Sequence, residues 1–151
     1  MPHITAIIGK TCAGKTTYAK TLPGILLSSD DFMLPLFGQH CEQIHRHLPI
    51  VQDCLLQQAL QITSKGIDVV FDWGFWRRVE REKVAAFCAE HDIALQWVYI
   101  DTPAQQRQEQ IATRNHAIEQ GLKAYYVSSG LFAKCNELFE EPEEIDGLTR
   151  V

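Results

Sequence analysis

The spacing of apolar and polar positions changes period along the chain. Ile4 to Ile8 is a short, mainly apolar run that stops at Gly9, as in a buried strand. Thr16 to Lys20 opens a helix that Pro23-Gly24 terminates. Ile25 to Leu27 reads as a second short strand, with Ser28 to Asp31 as its polar edge. Phe32 to Leu48 carries Pro35, Gly38 and the histidines His40, His45 and His47. It reads as a loop with room for one short helix. Pro49 suits the first turn of a helix with the stripe Val51, Cys54, Leu55, Ala59 and Ile62, and Gly66 is its stop. Ile67 to Phe71 is a third strand that runs into Asp72, and Val84, Phe87, Cys88 and His91 mark one face of a helix. Ala94 to Ile100 is a fourth strand, followed by Asp101-Thr102-Pro103 and a helix reaching about Gln120, with Gly121 as its end. Tyr125 to Leu138 has room for one more helix. The acidic tail from Glu140 to Val151 reads as loop or a short edge strand.

Alternating strands and helices predict an α/β domain with a largely parallel sheet. The 151 residues fit one domain, 1–151. No apolar run approaches the roughly 20 residues of a membrane span, and Met1 to Gly9 lacks the basic start of a signal peptide. The five cysteines form no CxxC pair, which suits free thiols in a reducing compartment. A cytoplasmic location is expected. Lys plus Arg is 14 against 19 Asp plus Glu, a net charge of −5. That balance argues against a grip on long nucleic acid.

Gly9-Lys10-Thr11-Cys12-Ala13-Gly14-Lys15-Thr16 matches GxxxxGK[ST] in full, between an apolar strand and a helix. Gly9 and Gly14 permit backbone geometries that a Cβ opposes. Successive N–H groups then form an anion nest, and the helix start adds its positive end. In this reading Lys15 reaches the β- and γ-phosphates and Thr16 holds Mg²⁺ through its hydroxyl. Thr17 lies near an α-phosphate. Cys12 inside the loop is read as filler. ATP and Mg²⁺ are the expected cofactors.

An Asn-Lys-x-Asp guanine reader and an Asp-x-x-Gly switch are both absent from the sequence, and large ATPase modules need more chain. A small kinase remains. Ligands bind at the C-terminal edge of a parallel sheet, where Asp30 and Asp31 follow the second strand. Asp30 is assigned as the base for an acceptor hydroxyl. Asp31 is its helper, either toward Mg²⁺ or as a helix cap. Asp72 ends a strand where a Mg²⁺-associated carboxylate belongs, and Asp101 is read as a cap for the next helix. Arg107 and Arg114 lie seven residues apart on one helix, roughly 10 Å along one face. They are placed to bracket a triphosphate, with a lid around 107–125.

Together the loop, Ser29-Asp30-Asp31-Phe32, Asp72 and Asp101-Thr102-Pro103 through Arg114-Asn115 resemble a small phosphate-loop kinase. The relatives are the zeta-toxin, chloramphenicol phosphotransferase and polynucleotide kinase group and short AAA-family ATPase-like proteins. The resemblance implies a three-layer P-loop NTPase fold with core strand order 2-3-1-4, ATP as donor, a base at Asp30 and a phosphate-binding arginine at Arg114. Nucleoside monophosphate kinases usually carry a further arginine where this chain has Gln110, so the lid departs from that branch. The expected partners are ATP and a small-molecule hydroxyl acceptor, such as an antibiotic or a sugar-like metabolite, with the protein a monomer or homodimer. The alternatives are a nucleoside or polynucleotide 5′-end kinase and a non-catalytic ATP-binding regulator.

Phe32 with Phe37, and Trp73 with Phe75 and Trp76, are candidate acceptor walls or core. Arg77, Arg78 and Arg81 either line that pocket or form a charged helix face. Glu137, Glu140, Glu141, Glu143, Glu144 and Asp146 make the tail a solvated end or a lure for a cationic acceptor. His40, Cys41, His45 and His47 lack the second ligand pair of a metal site and point instead to the acceptor entrance.

Overall fold

A computed structural model describes residues 1–39, 42–122 and 126–151. Its centre is a sheet in the order β2-β3-β1-β4-β5, built from β1 His3–Ile8, β2 Ile25–Leu26, β3 Val69–Gly74, β4 Ala94–Tyr99 and β5 Thr149–Arg150. Every pairing is parallel: Ile4 lies opposite Val69, Ile8 opposite Tyr99, and Val98 opposite Thr149. The core order is the one implied by the resemblance. β5 adds an edge strand from the tail.

Alternation along the central strands sorts two apolar layers. Ile4, Ala6, Ile8, Val69 and Phe71 face Leu56 and Ala59 of α3 (Ile44–Ser64) and Val84 and Cys88 of α4 (Arg78–Glu90). Ile7, Val70, Val98 and Ile100 face the other way, toward Ala19 of α1 (Lys15–Ala19). The same alternation puts Asp72 on the Val70 side, with the phosphate loop and α1.

The segment 32–48 holds the one short helix that its pattern allowed, and a second helix enters it from the far end. α2 runs Asp30–Phe37 with Pro35 inside it, and α3 starts at Ile44, so Pro49 is interior and not in the first turn. Burial outweighs propensity here: Met33 is fully buried, and Asp30 and Asp31 in the first turn complement the helix dipole. Leu55, Leu56, Ala59 and Thr63 form the buried stripe of α3, while Cys54 is exposed. After α5 (Ala104–Glu119) comes α6 (Ser129–Leu138), where the pattern left room for a helix. No helix among the described residues is long and apolar enough to cross a membrane.

Candidate functional site

Gly9 to Thr16 leaves β1 and turns into α1. A Cβ at Gly9 would stand 3.0 Å from Lys15 Cγ and 3.3 Å from the Ala13 Cβ, so the Lys15 stem and Ala13 would have to give way. Gly14 takes φ 96° as the residue before α1, and Cys12 also sits in the left-handed region at φ 57°. The loop is pinned from outside. Thr102 Oγ1, just after β4, donates to Ala13 O at 2.7 Å, and within the loop Lys15 Nζ donates to Lys10 O at 2.9 Å. Burial pulls the Lys15 ammonium below its ordinary value, against the opposing charges of Asp72 and Asp30.

Three elements converge on this loop. From β3, Asp72 Oδ2 accepts a hydrogen bond of 2.8 Å from Thr16 Oγ1. Both oxygens are hard donors of the kind Mg²⁺ takes, and Asp72 is only 7% exposed. From α2, Asp30 senses Asp72, Arg114 and Lys15. Desolvation by the cleft walls, then the like charge of Asp72, raises its carboxyl above the ordinary value, while Arg114 and Lys15 oppose. Asp30 is still open to solvent, so that shift gains full weight only once a ligand fills the cleft. From α5, Arg114 Nη1 reaches Cys12 Sγ at 3.6 Å, and Asn115 clasps Val127 through N–H and C=O bonds of 3.0 and 2.7 Å.

Lys15, Thr16, Asp30, Asp72 and Arg114 are thus brought together. Asp31 is exposed, and no hydrogen bond joins it to Thr16 or Asp72. Thr17 is exposed on α1. Arg107 shares an inward side of α5 with Arg114 but is 1% exposed, bonded to Asn136 Oδ1 at 2.8 Å and capped by the Phe132 ring at 4.8 Å. It cannot touch a ligand unless α6 moves. Asp101 is no helix cap: the residue before α5 is Pro103, without a side-chain cap, and Asp101 pairs with Arg150 at 3.4 Å.

The aromatic groups divide. Trp73 stacks on Phe71 at 4.1 Å and Phe75 lies edge-on to Trp97 at 5.2 Å, so both belong to the core. Phe32 is exposed and Phe37 stacks on His47 at 4.2 Å. His40 and Cys41 lie outside the described residues, as does the end of the 107–125 lid. No group of three metal-ligating side chains occurs among the described residues. Arg77 and Arg78 pair with Glu80 and Glu82 along α4. Sequence reasoning missed Thr102 and Cys135. The Thr102 signal was its place beside the loop at the sheet edge. Cys135 lies 124 positions from Thr11, to whose N–H its Sγ is bonded at 3.4 Å, and no local pattern marks it.

A family model for the AAA domain matches residues 4–142. No curated protein matches the sequence. Among solved structures, a candidate kinase of Chloroflexus aurantiacus superposes with a TM-score of 0.75 at 17% identity, over 99% of this chain and 87% of that one. Kti12 of Chaetomium thermophilum, in complex with ADP-AlF3, gives 0.71 at 13% identity over 98% and 88%. A gluconokinase of Sinorhizobium meliloti gives 0.67 at 14% over 99% and 82%. With its family match spanning nearly the whole sheet and its backbone superposing on these structures over almost its full length, the chain belongs to the AAA domain family and has a phosphate-loop kinase fold.

Proposed function

We propose that the protein is an ATP- and Mg²⁺-dependent kinase that transfers the γ-phosphate to a hydroxyl of a small molecule. The observation that carries the reading is the 2.8 Å Thr16–Asp72 contact, set at the foot of a phosphate loop with Asp30 near enough to interact with Asp72 and Lys15. The loop N–H groups and Lys15 would hold the β- and γ-phosphates. Thr16 and Asp72 would hold Mg²⁺, which supplies charge neutralisation on the phosphates. Asp30 would orient the acceptor hydroxyl and take its proton as the oxygen attacks the γ-phosphorus and ADP leaves. Arg114 is placed to meet the charge on the transferring group once it leaves Cys12. The gluconokinase and Kti12 likenesses support the fold's capacity for this chemistry.

The test is ATP consumption with Mg²⁺ across sugars, nucleosides and hydroxyl-bearing antibiotics. The reading predicts acceptor-dependent turnover that Lys15→Ala abolishes. Asp30→Asn removes turnover with ATP binding intact. Full turnover in Asp30→Asn would refute the base.

A further inference from the structure

The acidic segment 139–144 plays no part in the cleft chemistry above, yet it is tied to the phosphate loop by two routes. The direct route is short: Lys10 Nζ sits 5.2 Å above the Phe139 ring. The second route passes through the turn after β3. Gly9 N–H donates to Gly74 O at 3.0 Å, so the loop's first residue hangs on that turn. Gly74 and Phe75 are both left-handed, at φ 87° and 48°. Phe75 is not glycine, so its conformation is disfavoured and must be held by its surroundings. The holding group is Arg81 Nη1, which donates to Phe75 O at 2.8 Å. Arg81 is 2% exposed, and its Nε donates to Glu144 Oε1 at 2.7 Å. Nearby, Glu140 N–H donates to Trp76 O at 2.7 Å, fastening the tail to the same turn.

We propose that Arg81 and Glu144 are positioning residues for the nucleotide site: the pair locks the strained Gly74-Phe75 turn, and the turn fixes the mouth of the phosphate loop. This rests on the reading of that loop as a nucleotide site. A buried guanidinium keeps its place only while its counter-charge stands beside it. Without the Glu144 carboxylate, Arg81 must draw in water or withdraw. Phe75 O then loses its donor, the backbone relaxes toward right-handed geometry, and Gly74 O moves off the Gly9 amide. Through Glu144 the tail then braces the loop, while Glu137, Glu140, Glu141, Glu143 and Asp146 stay exposed. Arg81 acts at a distance from any ligand, because its side chain faces the tail and the turn.

Three readouts test this on the full chain: affinity for a fluorescent ATP analogue with Mg²⁺, hydrogen exchange of the Gly9 amide, and urea unfolding. Glu144→Gln is expected to weaken nucleotide affinity about threefold or more and to speed Gly9 exchange, while Val98 in β4 stays protected. The exposed neighbour Glu143→Gln should leave all three as in the wild type. Arg81→Lys, which keeps the charge but loses the fork, is read in the same way if Glu144→Gln fails to fold. The proposal is overturned if Gly9 protection stays at the wild-type level, or if affinity for a nucleotide that the wild type binds is unchanged. A fall in the urea midpoint would not rescue it. If the wild type binds no ATP analogue, the nucleotide reading itself fails, and with no nucleotide site to position, the proposal falls with it.

Discussion

Asp30 is the residue on which chemistry and stability pull in opposite directions. Its carboxyl is raised, first by desolvation and then by Asp72. The folded state therefore holds a proton that the unfolded chain has already released. Between the ordinary aspartate value and the raised one, stability falls as pH rises. Asp30→Asn removes that cost. With a nucleotide filling the cleft, it should melt at a higher temperature than the wild type at neutral pH, while transfer drops about 10²–10⁴-fold. Thermal unfolding at neutral pH checks the first half, and a lower melting temperature would contradict it. The acid limb of the rate profile should lie above the usual aspartate range. Lys15 and Thr16 were legible because their motif's spacing has one mechanical solution, and Asp30 and Asp72 because each follows an apolar run, although β3 continues two residues past Asp72 to Gly74. Arg107 was not, since two arginines seven apart share a helix side whether that side meets a ligand or another helix. Only α6, far along the chain, decides between them.

At the scale of elements, the strands and α4 followed the apolar pattern, α5 followed its punctuation by Pro103 and Gly121, and the 32–48 segment holds more helix than its pattern allowed. Pro35, Gly38 and the histidines are local loop signals, but α2 is held by tertiary burial of Met33. That makes Met33 the anchor of the helix that presents Asp30. Met33→Ala should cost about 2–5 kcal/mol in urea unfolding. It should also lower acceptor turnover more than ATP affinity, because Met33 carries the helix of Asp30, while Ala13 and Ala19 of the loop and α1 pack on Ile7, Val70 and Val98. Equal losses in both would contradict this division. β5 was legible only as an option: two residues, Thr149 and Arg150, pair with Val98 and Tyr99, too few to carry a period of their own.

For the whole molecule, a parallel sheet gathers its chemistry at one edge. The loop after β1, Asp30 after β2, Asp72 near the end of β3 and Thr102 after β4 come from stretches up to 93 positions apart (102 − 9). They converge because every strand runs the same way. A ligand that binds this edge binds only the folded state, so it must stabilise it. Mg·ATP at about 100 times its dissociation constant should raise the unfolding free energy by about 2.7 kcal/mol, and Lys15→Ala should erase the gain. The most direct measurement is calorimetric titration of the wild type with ATP in the presence and absence of Mg²⁺. The account predicts one saturable site per chain, tighter with the metal and lost in Lys15→Ala. Absence of binding with Mg²⁺ present, or equal binding by Lys15→Ala, would contradict it.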